Sequence, residues 1–155
     1  KSEDRKAGAL GYSSRAPGSP DVAARTGAMA TALGVAGREK AFAKSLAESL
    51  VRLNARMRHA HAMSSIGMIF GFSGIKQGSP RNHSKVLKAW SPYLELSRLP
   101  HGGAAFFGGK RNIGGDQYLG LSSIGNATTG LVLASADNRL FMHGGTRKGW
   151  FGTGN

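Results

Sequence analysis

Residues 60–75 read Ala-His-Ala-Met-Ser-Ser-Ile-Gly-Met-Ile-Phe-Gly-Phe-Ser-Gly-Ile, sixteen positions without a carboxylate, a lysine or an arginine. Gly67, Gly71 and Gly74 alternate with Ile66, Met68, Ile69, Phe70 and Phe72, so a helix here has no charged face to turn to water. A helix apolar all round is buried, either in a protein core or in lipid. The Gly67-x-x-x-Gly71 spacing would suit close packing in a membrane, but a span needs about 20 residues. The stretch therefore reads as an inner helix enclosed by protein.

Two other stretches share this small-residue grammar. Thr26–Leu33 runs Thr-Gly-Ala-Met-Ala-Thr-Ala-Leu, and Asn126–Ala134 runs Asn-Ala-Thr-Thr-Gly-Leu-Val-Leu-Ala. A Gly-rich aromatic loop precedes each, Gly8–Tyr12 for the first and His101–Gly109 for the second. Recurrence at roughly 40 to 60 residues is the mark of stacked units, none of which buries its apolar face alone.

Amphipathic helices alternate with these segments. Phe42, Leu46, Leu50, Leu53 and Met57 recur at helical spacing, with Lys40, Lys44, Glu48, Arg52 and Arg56 on the opposite face, which predicts one helix through Met57. Gly78–Arg81 reads as a turn and Ser84 as the cap of a helix carrying Val86, Leu87, Trp90 and Leu94. Pro92 should break or kink that helix near Ser91. Ser19-Pro20-Asp21 is a good start for a helix over 20–34 that closes at Gly37. Asn126 reads as the cap of a last helix ending near Asp137-Asn138. Beyond Pro100, Gly-Gly pairs frame short strands at Ala104–Phe107 and Leu140–Met142.

The expected fold is all-α: five or six helices in stacked antiparallel hairpins with Gly-rich connections. Residues 1–19 read as an irregular segment, 20–145 as the helical repeat domain and 146–155 as a flexible tail. A length of 155 residues is enough to bury a core. Cysteine is absent, which excludes disulfides and thiolate metal sites and leaves the compartment unread. No N-terminal signal peptide is read. The opening at Lys1 rather than methionine suggests processing, or hairpins supplied by a longer parent chain. No transmembrane segment, metal or cofactor is expected.

Twenty-one basic residues face eight acidic ones, a formal net charge of +13. Such a field attracts polyanions over a Debye length of about 8–10 Å. The basic residues that cluster are Arg52, Arg56 and Arg58, then Arg81, Lys85 and Lys88. They read as a solvated surface or as a polyanion site for nucleic acid or acidic polysaccharide.

Gly11-Tyr12, the spacer 13–21 and Ala24-Arg25-Thr26-Gly27-Ala28 resemble a repeat unit of the α/α-toroid families. Those families include terpenoid cyclases, protein prenyltransferase β-subunits and thioester-containing complement-type domains. The His101–Gly109 segment is similar to the Gly-aromatic loop between their hairpins. The resemblance spans residues 8 to 145 and is nearest to a group of uncharacterised bacterial proteins, many of them planctomycetal. It implies a partial α/α toroid, because a closed ring takes more hairpins than this chain supplies. The enzymes' signatures are missing: there is no Asp-x-Asp-Asp run, no Cys for a prenyltransferase zinc site and no Gly-Cys-Gly-Glu-Gln segment.

Candidate sites are few. His59-x-His61 would point its imidazoles about 200° apart on a helix, so the two do not converge on a metal. His101-Gly-Gly and His143-Gly-Gly repeat one local motif and, with Asp116, form the best acid/base set. Phe106, Phe107, Lys110, Arg111 and Tyr118 are the candidate ligand-binding residues, with the flanking glycines offering backbone N–H nests. Ser13-Ser14 and Ser122-Ser123 lack a nucleophile-elbow context. Three readings follow: a non-catalytic helical-repeat scaffold or ligand-binding module, a basic polyanion binder, or a toroid enzyme acting on a glycan or lipid-like substrate through His101, Asp116 and His143.

Overall fold

The computed structural model describes residues 8–11, 22–62, 64–106 and 122–136. Among these the chain is all-α. The elements are α1 (Val22–Ala36), α2 (Lys40–Arg52), a 3-10 helix (Asn54–Ala62), α3 (Ser64–Ile75), α4 (Pro80–Leu96) and α5 (Ser122–Ala136). The apolar stretch forms α3, and every other element packs against it. Its buried side includes Gly67, Met68, Gly71, Phe72, Gly74 and Ile75.

The glycines set the approach of its neighbours. A Cβ at Gly74 would lie 2.6 Å from the Gly27 Cα and 2.7 Å from Leu50 Cδ1. One at Gly27 would strike the Phe70 carbonyl, and one at Gly67 the Met57 carbonyl. Backbones meet here with no side chain between them. Gly27 lies against Phe70 and Gly74, and Gly34 against Gln77, so α1 and α3 run parallel. Leu50 meets Gly74 and Ala47 meets Gly78, so α2 runs back antiparallel to α3. Phe72 packs edge-on to His83, and the Tyr93 hydroxyl reaches Ser64 Oγ at 3.3 Å, which sets α4 antiparallel to α3 as well. Lys76 at the end of α3 donates to the Ser135 carbonyl near the end of α5 at 2.6 Å, so α5 runs parallel to α3.

Several boundaries differ from the sequence reading. α1 closes at Gly37 as expected: at φ 66°, its N–H reaches the Gly34 carbonyl and the Arg38 N–H that of Leu33, both at 3.1 Å. Ser19–Asp21 lie outside the described residues. α2 stops at Arg52 rather than running to Met57, because the Asn54 side-chain amide takes the Val51 carbonyl at 2.7 Å and competes with the helix ladder. Its buried stripe is Ala43, Leu46, Ala47 and Leu50, and Phe42 is 45% exposed. The small alanines let α2 sit close to α1 and α3, which turns Phe42 outward. Met57 is nevertheless fully buried, folded by the 3-10 helix onto Gly67 and Gly71. His59 and His61 belong to that 3-10 helix, ahead of α3.

α4 starts four residues before Ser84, with Ser79 at the cap position and Pro80 at the first turn, where a missing N–H is harmless. Pro92 does not break it. The helix continues to Leu96, and the Ser91 hydroxyl donates to the Lys88 carbonyl at 2.8 Å, replacing the bond that proline cannot make. Asn126 is not a cap: α5 begins at Ser122, and Asn126 lies inside it. Of the expected strands, the described part of Ala104–Phe107 makes an isolated bridge between Arg98 and Ala104. Phe107 and Leu140–Met142 lie outside the described residues, as does the 146–155 tail.

Candidate functional site

α4 and α5 lie side by side, and a groove of 520 Å³ opens between them. Leu87 and Leu94 of α4 and Leu133 of α5 give it an apolar floor. Ser84, Lys88 and Glu95 of α4 stand on one side, and Arg98 closes one end beside Glu95 at 3.0 Å. Leu133 is half exposed. The groove is therefore a long amphipathic trough, suited to a ligand with an apolar face and a polar edge.

Its width is fixed by ties at both ends. At one end His83 Nε2 stands 3.0 Å from Ser135 Oγ. The Ser135 hydroxyl donates to the Val132 carbonyl at 2.6 Å, so Oγ accepts from the imidazole and the ring proton belongs on Nε2. Burial, with the Lys76 ammonium close by, lowers the His83 pKa from its ordinary 6.5 and so favours the neutral ring. Lys76 in turn donates to the Ser135 carbonyl, a cation at a helix C-terminus where the dipole favours it. A serine and a histidine at hydrogen-bond distance look like a nucleophile and its base. Here both side chains are buried and the serine proton is committed to a carbonyl, so the pair acts as a clamp. Nothing local in the sequence pairs His83 with Ser135, and the sequence reading missed them.

At the other end the Ala104 N–H donates to Asn126 Oδ1 at 2.6 Å. Gly125 lies directly under the Ala104 carbonyl. The corresponding tie on α1 is the Leu10 N–H to Thr26 Oγ1 at 2.9 Å. In both places a Gly-rich loop fastens one backbone N–H to the first half of a small-residue helix.

Of the sequence-predicted catalytic and ligand-binding residues, only His101 and Phe106 fall within the described residues. His101 is exposed on the turn that Gly102 and Gly103 make at φ 89° and 91°. Asp116 and His143 lie outside the described residues, as do Phe107, Lys110, Arg111 and Tyr118. Phe106 is 2% exposed and stacks on Tyr93 at 5.9 Å, so its ring belongs to the core. That stack joins a chain of rings through Trp90 to Phe72, and the Trp90 indole donates to Asn54 Oδ1 at 3.1 Å.

Arg52, Arg56 and Arg58 are exposed, and the Arg58 guanidinium lies over the Tyr93 ring at 5.4 Å. Arg81, Lys85 and Lys88 are exposed along one face of α4. Arg81 and Tyr93 are separated by about 18 Å of helix, so Arg58 stands near the C-terminal end of α4 while the Arg81–Lys88 face covers its first half. Among the described residues no group of His, Asp and Glu is placed to hold a metal ion, and no helix is long and apolar enough to cross a membrane. Compared with family models, with curated proteins and with solved structures, the chain matches none.

Proposed function

We infer that the chain is a non-catalytic helical-repeat scaffold, an arc of the α/α-toroid kind, with the α4–α5 groove as its ligand-binding surface. The observation that carries this is the repeated joint. Leu10 fastened to Thr26 and Ala104 fastened to Asn126 each lock a Gly-rich loop onto a small-residue helix, and the helices so locked run parallel to α3. Repetition of one joint is the economy of a stacked array, in which each unit is held by its neighbours. The groove supplies an amphipathic surface, while the His83–Ser135 pair is consumed as a clamp. The test is to incubate the protein with panels of glycans and lipid-like substrates and to follow products by mass spectrometry. The expected result is retention without turnover; turnover abolished by His101→Ala would replace the scaffold with the toroid-enzyme reading.

A second reading is favoured by the exposed face of Arg81, Lys85 and Lys88: binding to nucleic acid or acidic polysaccharide by charge. It requires affinity for duplex DNA that falls with salt at a log–log slope of about −0.9 per phosphate contacted. Salt-insensitive or absent binding rejects it.

A further inference from the structure

We propose that the α4–α5 groove is the seat of one more amphipathic helix, acidic along one edge, that docks as α4 docks beside α2. The argument begins with how α4 itself is held. It lies against α3 and touches α2, presenting His83, Val86, Trp90 and Leu94 as its buried stripe. α2 lies behind α1 and α3, and α4 lies behind α3 and α5. One hairpin further along the chain, α4 stands where α2 stood and α5 where α3 stood. The trough between α4 and α5 is thus equivalent to the place that α4 fills.

The exposed apolar group in the trough agrees with that position. Leu133 of α5, which lines it, is 50% exposed, whereas Leu46 and Leu50 of α2, covered by their neighbours, are fully buried. Helices that lie in such troughs are read by apolar anchors at i, i+3, i+7 and i+11 spacing, the pattern α4 shows.

Charge chooses the edge. Arg98 is paired with Glu95 at the end of the groove. Lys88 stands at the rim, and Arg81, seven residues before it, lies on nearly the same helical face. A docking helix meets Lys88 along that rim, and Arg81 where it runs past the Ser84 end of the trough, so glutamates or aspartates belong on its facing edge.

This proposal rests on the scaffold reading, and its test separates the two. A fluorescein-labelled peptide as long as α4, 17 residues, carries leucines at the spacing of His83, Val86, Trp90 and Leu94 and glutamates along one flank. Its scramble and a version with lysines in place of the glutamates are the controls. Anisotropy with the whole chain should show saturable binding of the glutamate peptide alone. Leu133→Asp changes a half-exposed residue and leaves the fold intact; it should weaken binding by at least about tenfold, the loss of one buried leucine contact. Arg81→Glu with Lys88→Glu should reverse the preference toward the lysine peptide. Absence of saturable binding, or binding unchanged by Leu133→Asp, overturns the helix seat while the scaffold stands. Concentration-dependent self-association in sedimentation that Leu133→Asp abolishes would assign the groove to a second copy and equally overturn it. Turnover in the substrate panels removes the scaffold instead, whatever the peptide does.

Discussion

His83 has the environment most able to change the fold with pH. It is 2% exposed, edge-on to Phe72 and hydrogen-bonded to Ser135. Burial and the Lys76 charge hold its folded-state value below the 6.5 of the unfolded chain. The unfolded state then binds the proton more readily than the folded one, so stability rises with pH across the window below 6.5. The stabilisation is fully present above that value and is lost as pH falls beneath it. Thermal melts from about pH 8 down to about pH 5 should show Tm falling on the acid side. His83→Gln, which keeps a side-chain donor without a titrating ring, should flatten that dependence. An equally steep fall in the variant would assign the effect to other groups. The residue could not be singled out from the sequence, because its importance comes from Ser135, Lys76 and Phe72, contributed by two other helices.

At the scale of the element, glycine separates two kinds of position that look alike in the sequence. Gly74 in α3 and Gly130 in α5 both sit in small-residue helices, and both cost helix stability of about 1 kcal/mol relative to alanine. At Gly130 an added Cβ meets nothing within 4 Å, so Gly130→Ala should stabilise by up to about 1 kcal/mol. At Gly74 the new methyl runs into the Gly27 Cα and Leu50 Cδ1. Backbone cannot move aside cheaply, and overpacking of this kind costs about 1–3 kcal/mol, which outweighs the propensity gain. Urea melts of the two variants should therefore shift in opposite directions; two shifts of the same sign would mean that the α1–α3 crossing is looser than its backbone contacts indicate. The charge-free run of residues 60–75 made α3 legible as an inner helix, and the pattern of alternation gave the amphipathic α2 and α4. Less legible were the places where one side chain decides a boundary. Asn54 stops α2 by capturing a carbonyl, and Ser91 carries α4 through Pro92; neither act leaves a periodic trace. Of the candidate site, the sequence marked the Arg81–Lys88 face but not the groove, since Leu87, Leu94 and Leu133 come together only when α5 lies against α4.

For the whole molecule, the question is whether α5 joins the rest as one unit or end by end. It is fastened to the body at one end by His83 and Lys76 on Ser135, and at the other by Ala104 on Asn126. Val132, 1% exposed, is its anchor in the core between them. Ser135→Ala leaves the buried imidazole without its acceptor, and Asn126→Ala leaves the Ala104 N–H without one. Each should lower stability by about 1–3 kcal/mol. The two sites are about 14 Å apart along the helix, beyond the range at which substitutions with no shared partner interact, so the double variant should equal the sum of the singles to within about 0.5 kcal/mol. Hydrogen exchange adds a spatial readout: Ser135→Ala should speed exchange in the last turn of α5 and Asn126→Ala in its first, with the α1–α3 crossing unchanged. A double variant much less destabilised than the sum would mean that α5 undocks entirely when either tie is cut. The groove would then exist only while both ends hold, and its two walls would part together. Additivity places the rigidity in Val132 and its neighbours, so that the trough keeps its width with one end free and can accept a helix without being remade.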